Sequence, residues 1–246
     1  DDKNTVHNNL RMQSSIKDAL HNGDIINYYQ PIMNSEGELV KYEALVRMRD
    51  VTTGTILTPY HFLEVAKESK NYPLLTNTVV TNAFKDFEHT NISFSINVSF
   101  SDIINPETVI LISNMIKQHK GPAVTIELLE SEGMVDMNKT IDFCKNMKAL
   151  GAKIAIDDFG SGYSNFSHVF QIPIDILKID GSLIKGVHDY NGYLLLESIV
   201  ELSKKYGLKT VAEFVEDEKS FQKLKTLGID MYQGYYFSEP KPLNEF

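Results

Sequence analysis

The sequence predicts an α/β fold, specifically a (β/α)8 barrel, on two observations. Short apolar runs alternate with amphipathic stretches along all 246 residues, and eight strand–helix units need about 250 residues. Polar or ionisable residues also interrupt successive apolar runs, nearly always at the C-terminal end of the run, which is where barrels gather their functional groups. The alternation alone would equally fit a doubly wound open sheet. The placement of the polar residues favours the barrel.

Taken in order, the candidate strands are residues 25–32, 40–48, 93–98, 124–128, 154–157, 176–179, 209–213 and a short run at 231–233. Between the first two lies only Asn34-Ser35-Glu36-Gly37, a turn signal, so they are expected to pair antiparallel and make the barrel irregular at its start. Pro59 and Pro106 suit the first turns of helices, and Asp217 suits a helix N-cap. Leu195, Ile199, Leu202 and Tyr206 share a helical face that stops at Gly207, and Phe221, Leu224 and Leu227 share another that stops at Gly228.

Composition removes several classes of function. Lysine and arginine number 24 against 33 acidic residues, a net charge of −9, which excludes a binder of polymeric nucleic acid that relies on a basic face. The single cysteine, Cys144, excludes an internal disulfide framework and any cysteine-rich zinc site. It shares helical spacing with Ile141, Met147 and Leu150 and reads as a buried apolar residue. No apolar stretch approaches the ~18 residues of a membrane helix, and the polar opening carries no signal-peptide core. The chain therefore reads as soluble and cytoplasmic, with residues 1–13 as a linker from a longer parent and 14–246 as the domain.

The interrupting residues are Glu43, Asn97, Glu127, Asp157, Lys178, Glu213 and Gln233, with Asp158 beside Asp157. Singly, each could be a strand-end cap; in successive strands, each would separately need pairing or solvation. Clustered carboxylates repel one another unless cations sit between them. A set of oxygen ligands without His or Cys suits Mg²⁺ or Mn²⁺ rather than Zn²⁺. Glu43, Leu45 and Arg47 are spaced by two and share a strand face, so Arg47 can meet a phosphate near a metal held by Glu43. Neighbouring strand residues face opposite ways, so Asp157 and Asp158 share a site only if the strand ends there, which the glycines of Phe159-Gly160-Ser161-Gly162 permit. Asp158-Phe159-Gly160 also spells a kinase magnesium motif, but no glycine-rich loop and no H-R-D segment accompanies it.

These residues, in this order, resemble the EAL family of bacterial cyclic-di-GMP phosphodiesterases. The similarity rests on Tyr29-Gln30-Pro31-Ile32, Glu43-Ala44-Leu45-Val46-Arg47, Asn97-Val98-Ser99 and Glu127 with Glu130. It continues through Asp157-Asp158-Phe159-Gly160-Ser161-Gly162-Tyr163-Ser164, Leu177-Lys178-Ile179-Asp180, Ala212-Glu213-Phe214-Val215-Glu216 and Gln233-Gly234-Tyr235. The resemblance implies a modified TIM barrel with an antiparallel first strand. It implies that Glu43, Asn97, Glu127 and Asp157 hold one metal ion and that Asp157, Asp158 and Glu213 hold a second. Gln30, Arg47, Glu216 and Gln233 become substrate contacts, Glu130 braces the loop at 159–164, and Lys178 and Glu213 become catalytic. The implied reaction is hydrolysis of cyclic-di-GMP to linear 5′-pGpG, lowering a bacterial second messenger. A homodimer, and sensor or GGDEF domains upstream in the parent protein, are implied as well. One departure stands out, since the family usually has glycine where this chain has Phe214. Strand alternation would turn that ring towards the helical layer, near Leu202 or Leu224. The competing readings are a catalytically impaired member that senses cyclic-di-GMP or docks partners, and an unrelated metabolic barrel enzyme acting on another phosphorylated substrate.

Overall fold

A computed structural model describes residues 2–133, 135–162 and 166–246. Nine strands form one closed sheet among these residues. They are β1 (Ile25–Met33), β2 (Leu39–Arg49), β3 (Ile56–Leu57), β4 (Ser93–Asn97), β5 (Thr125–Leu129), β6 (Lys153–Phe159), β7 (Ile176–Ile179), β8 (Lys209–Ala212) and β9 (Met231–Tyr232). Eight of them run around a barrel in the order β1-β9-β8-β7-β6-β5-β4-β2, closed by β1 against β2, with β3 appended to β2 as a short hairpin. The pairs from β2–β4 through β8–β9 are parallel, while β1 is antiparallel to both β2 and β9.

The turn at 34–37 explains that reversal. The Asn34 side-chain oxygen accepts from the N–H groups of Glu36 and Glu38 at 3.0 and 2.8 Å, and Gly37 takes φ +77°, which glycine reaches without steric cost. The helices are α1 (Asp2–Asn22), α2 (Pro59–Lys67), α3 (Tyr72–Asp86), α4 (Phe100–Ile103), α5 (Pro106–Gln118) and α6 (Glu130–Gly133). They continue with α7 (Met137–Ala149), α8 (Phe166–Val169), α9 (Gly181–Ile184), α10 (Tyr190–Lys205) and α11 (Glu218–Thr226). Pro59 and Pro106 open their helices, and Asp217 caps α11 by accepting from Ser220 N–H at 2.7 Å. Cys144 is fully buried in the layer between barrel and helices. No helix among the described residues is long and apolar enough to cross a membrane. The segment read as a linker lies almost wholly within α1, which continues unbroken to Asn22.

Inside the barrel the side chains are layered. Ile32, Ala155, Ile176, Val211 and Met231 form an apolar floor. Each stands two residues along its strand from Gln30, Asp157, Lys178, Glu213 or Gln233, so strand alternation points these polar residues inward too, one layer above. The wall at β2, β4 and β5 is polar even at the lower level, where Lys41 donates to Thr125 Oγ1 at 3.2 Å beside the buried Ser95. Glu43 sits mid-strand in β2, but the parallel pairing with β4 covers only Lys41–Glu43. It therefore ends the part of β2 that pairs with the parallel strands.

Two strand ends depart from the expected geometry. β6 runs on to Phe159 with an irregular register against β7, and Asp158 takes φ +56°. Asp157 and Asp158 therefore come together through a left-handed residue inside the strand rather than through an early strand end. Asp tolerates that conformation better than most side chains do. Phe214 also takes φ +55° and is 55% exposed. Its ring is not in the helical layer; it lies over Gly181, where an added Cβ would come within 2.8 Å of the phenylalanine Cβ and Cγ. The strand period ends at Glu213, and the left-handed turn after it swings the ring onto the rim.

Gly234 packs so tightly that a Cβ would run into the backbone nitrogen and oxygen of Val215, which itself donates to Gln233 O and accepts from Tyr236 N–H, both at 3.0 Å. Gly234→Ala is expected to lower the unfolding free energy by about 1–3 kcal/mol in urea titrations, the usual cost of overpacking; an unchanged midpoint would contradict this packing. Phe214→Gly loses an exposed ring contact and relieves a left-handed non-glycine residue, terms of opposite sign and about 1 kcal/mol each. Stability within about 1 kcal/mol of the parent is the expected outcome, against the 1.5–3 kcal/mol loss of a buried ring.

Candidate active site

At the C-terminal mouth of the barrel, the Lys178 ammonium is fully buried and surrounded by carboxylates. Its Nζ lies 2.6 Å from Glu127 Oε2, 2.9 Å from Asp157 Oδ1, and 3.1 Å from both Glu43 Oε2 and Glu213 Oε1. Asn97 Nδ2 donates to Glu43 Oε1 at 2.9 Å, and Gln233 Nε2 donates to Glu43 Oε2 at 2.7 Å and to Gln30 Oε1 at 3.1 Å. Gln30 in turn donates to Ser238 O at 3.1 Å. The strands bring together eight residues singled out from the sequence: Gln30, Glu43, Asn97, Glu127, Asp157, Lys178, Glu213 and Gln233.

The remaining expected residues stand around this cluster. Asp158 is half-buried, its N–H donating to the Asp157 carboxylate at 3.0 Å. Arg47 is buried with its guanidinium 5.3 Å from the centre of the Tyr28 ring, and no carboxylate pairs with it among the described residues. Glu130 accepts from Gly160 N–H at 3.3 Å, reaching the first part of the loop after β6; Tyr163 and Ser164 lie outside the described residues. Glu216 is exposed beyond β8 and is not drawn into the cluster.

One ammonium cannot neutralise four carboxylates, and their ionisation divides accordingly. Burial would lower the Lys178 pKa, but Asp157, Glu127, Glu213 and Glu43 override it and hold the ammonium charged well above its ordinary range. Burial also opposes ionisation of Glu43, yet Lys178, Asn97 and Gln233 keep it below the usual carboxylate range. Burial, reinforced by Glu43, pushes Glu127 up to about 7. Burial raises Glu213 well above its normal value, only partly opposed by Lys178, and it raises Asp157 and Asp158 as well.

The donor set fits cations. Glu43, Glu127 and Asp157 offer oxygens within 4.8 Å of one another, and so do Asp157, Asp158 and Glu213, the two groups sharing Asp157. Glu127 Oε1, Glu213 Oε2 and Gln233 Oε1 are buried without a hydrogen-bond partner among the described residues, an arrangement that costs free energy unless a donor or a cation meets them. All-oxygen donors of this kind suit hard divalent ions. Three buried residues were missed in the sequence. Lys41, Ser95 and Thr125 face inward beneath the site, and the two-residue spacing from Glu43, Asn97 and Glu127 was the signal that could have found them.

A family pattern described as the EAL domain matches residues 13–240. The chain belongs to the EAL domain family. Among curated members, it is 30% identical over 244 residues to the cyclic di-GMP phosphodiesterase NbdA of Pseudomonas aeruginosa, covering 95% of this chain and 31% of that protein. It is 32% identical over 238 residues to the probable cyclic di-GMP phosphodiesterase PdeA of Escherichia coli, covering 94% of this chain and 32% of that one. The EAL chain thus spans about a third of the length of these relatives. Of solved structures, a PaMucR phosphodiesterase in complex with c-di-GMP superposes with a TM-score of 0.86 at 27% identity, covering 96% of this chain and 99% of that one. An EAL domain protein from Listeria monocytogenes superposes with a TM-score of 0.85 at 30% identity, covering 95% of each chain.

The Glu127 shift carries a sign that can be checked. A carboxyl whose pKa rises from 4.5 unfolded to about 7 folded keeps its proton in the native state after the unfolded chain has released it, so its contribution to stability falls as pH rises through that window. For protein freed of divalent ions, the unfolding free energy is expected to decline between about pH 4.5 and 7, and Glu127→Gln is expected to flatten that decline. Urea titrations across this range test it, and a variant that keeps the parent slope contradicts it.

Proposed function

We propose that this EAL domain is a metal-dependent phosphodiesterase that hydrolyses cyclic-di-GMP to linear 5′-pGpG. The observation that carries the proposal is the pair of three-carboxylate groups sharing Asp157, with buried orphan oxygens on Glu127 and Glu213. Named relatives at 30–32% identity support the substrate. In this reading Glu43, Glu127, Asp157 and the carbonyl oxygen of Asn97 hold one Mg²⁺ or Mn²⁺, and Asp157, Asp158 and Glu213 hold the other. Bound there, the ions supply neutralisation of the phosphodiester, a lowered pKa for the attacking water and stabilisation of the departing 3′-oxygen.

The protein's own groups account for the rest. Glu213 has a raised pKa and an Oε2 without a hydrogen-bond partner among the described residues, which suits it to accept the proton of the attacking water. Lys178 stays charged throughout and opposes the negative charge that builds on the phosphoryl oxygens. Arg47, buried and without a carboxylate partner among the described residues, offers charge-assisted bonds to a phosphate. Gln30, Gln233 and the exposed Glu216 complete the substrate contacts, and Glu130 steadies the loop after β6 through Gly160. The same reading makes the domain a cytoplasmic homodimer, residues 14–246, with residues 1–13 linking it to sensor or GGDEF domains of a longer parent. Its match to about a third of its relatives' length supports that last point. Phe214 on the rim, where the family usually has glycine, favours one second reading: a member that binds cyclic-di-GMP without turning it over.

Chromatography of cyclic-di-GMP incubated with the purified chain and Mg²⁺ or Mn²⁺ tests the proposal. Conversion to pGpG that stops on chelation is expected. Glu43→Ala should abolish it, and Lys178→Ala should lower kcat by about 10²-fold or more with little change in KM. Turnover that survives in Glu43→Ala would sink the metal assignment, and tight binding with no product would favour the second reading. Asp158→Asn should leave substrate binding measurable while lowering kcat, because it touches only one of the two cation groups.

A further inference from the structure

The short helix α6 carries two glutamates that reach in different directions. Glu130 accepts from Gly160 N–H at 3.3 Å, two residues beyond Asp158. Glu132 uses both of its oxygens: Oε1 takes Lys67 Nζ at 2.7 Å, from the last residue of α2, and Oε2 takes Phe100 N–H at 3.0 Å, from the first residue of α4. The two side chains of the ion pair are only 26% and 21% exposed, so water screens their attraction incompletely. The Phe100 end is itself fixed. Ser99 and Asp102 form a capping box at the start of α4, and Tyr72 of α3 reaches Asp102 at 3.4 Å.

This places one ion pair where three segments meet. α2 follows the strand of Glu43 after the short β3, α4 follows the strand of Asn97, and α6 follows the strand of Glu127. Lys67 and Glu132 also line a cavity of about 260 Å³ that is walled by Glu43, Asn97, Glu127 and Asp157. A four-residue helix cannot hold itself in place, since one turn scarcely covers the cost of nucleation. α6 is anchored at its start by β5 and packs Gly133 near Ile156 and Ile172; the rest of its hold on the structure comes from what its side chains grip. We infer that Lys67 and Glu132 are a positioning pair for the active site. Their contact holds α6, α6 presents Glu130 to Gly160, and Gly160 keeps Asp158 in its left-handed conformation beside Asp157.

Two measurements on Lys67→Met and Glu132→Gln test this, and only the kinetic one rests on the phosphodiesterase reading. In both variants the Gly160 amide should exchange with deuterium at least about tenfold faster, while the Ile126 and Leu128 amides of β5 keep their parent rates. In turnover of cyclic-di-GMP, kcat should fall by about tenfold with KM within about twofold, and Lys67→Arg should retain parent values. The double variant should be no worse than the worse single variant, because both act through one contact. Unchanged Gly160 exchange overturns the inference, as do additive losses in the double variant or a loss of stability with kcat intact. A parent protein that does not hydrolyse cyclic-di-GMP would sink the proposed function and leave the exchange rates to decide this one. Should Lys67→Met fail to fold, Glu132→Gln, which keeps an acceptor for Phe100 N–H, carries both measurements.

Discussion

The contact of one buried ammonium with four carboxylates is what the rest of this barrel is arranged around. Lys178, on β7, can occupy the centre only if strands β2, β5 and β6 and the end of β8 bring their acids to within 2.6–3.1 Å of it. Charges removed from water in this way are costly unless their geometry is good and their remaining atoms are satisfied. Asn97 and Gln233 supply part of that satisfaction by donating to Glu43. The apolar floor of Ile32, Ala155, Ile176, Val211 and Met231 closes the barrel beneath, so the charges meet water only from the mouth. One ammonium set among four carboxyl groups leaves the centre short of positive charge, an imbalance that fits it to divalent cations.

The rim of the site is shaped by two left-handed residues that are not glycine. Asp158 ends the approach of β6 and Phe214 follows the end of β8, and these strands flank β7, which carries Lys178. Non-glycine residues in this conformation are uncommon and cost free energy, so they persist where surrounding contacts hold them and tend to gather at functional sites. At Asp158 the conformation allows adjacent carboxylates to face one site. At Phe214 it turns a large ring outward over Gly181.

Much of this was legible in the sequence, for reasons that differ by element. The alternation of strands and helices, the turn at 34–37 and the proline-led helices are local signals, and each appears where its residues place it. The polar residues at strand ends could be read because strand periodicity fixes which side chains face inward. The two-residue strand β3 carries too little pattern to be seen. The course of β6 past Asp157 and the exposure of Phe214 both depend on a left-handed backbone that strand alternation does not anticipate. The grip of Lys67 on Glu132 joins residues far apart in the chain, and nothing local marks either of them as a partner.

The antiparallel β1 also has a geometric consequence. In a regular barrel, the chain enters its first strand from the face opposite the mouth. Here Ile25 pairs with Met48 and Met33 with Leu39, so β1 starts at the mouth and runs downward. The link from α1 arrives beside Arg49, whose N–H donates to Asp24 O at 2.9 Å. α1 then lies in one apolar cluster with α2 and α3, where Ile16 and Ala19 join Phe62, Ala66, Leu75 and Val79. Leu75 and Val79 of that cluster also line the cavity that Glu43 walls, so α1 is packed on the mouth side of the barrel, one layer from the carboxylates.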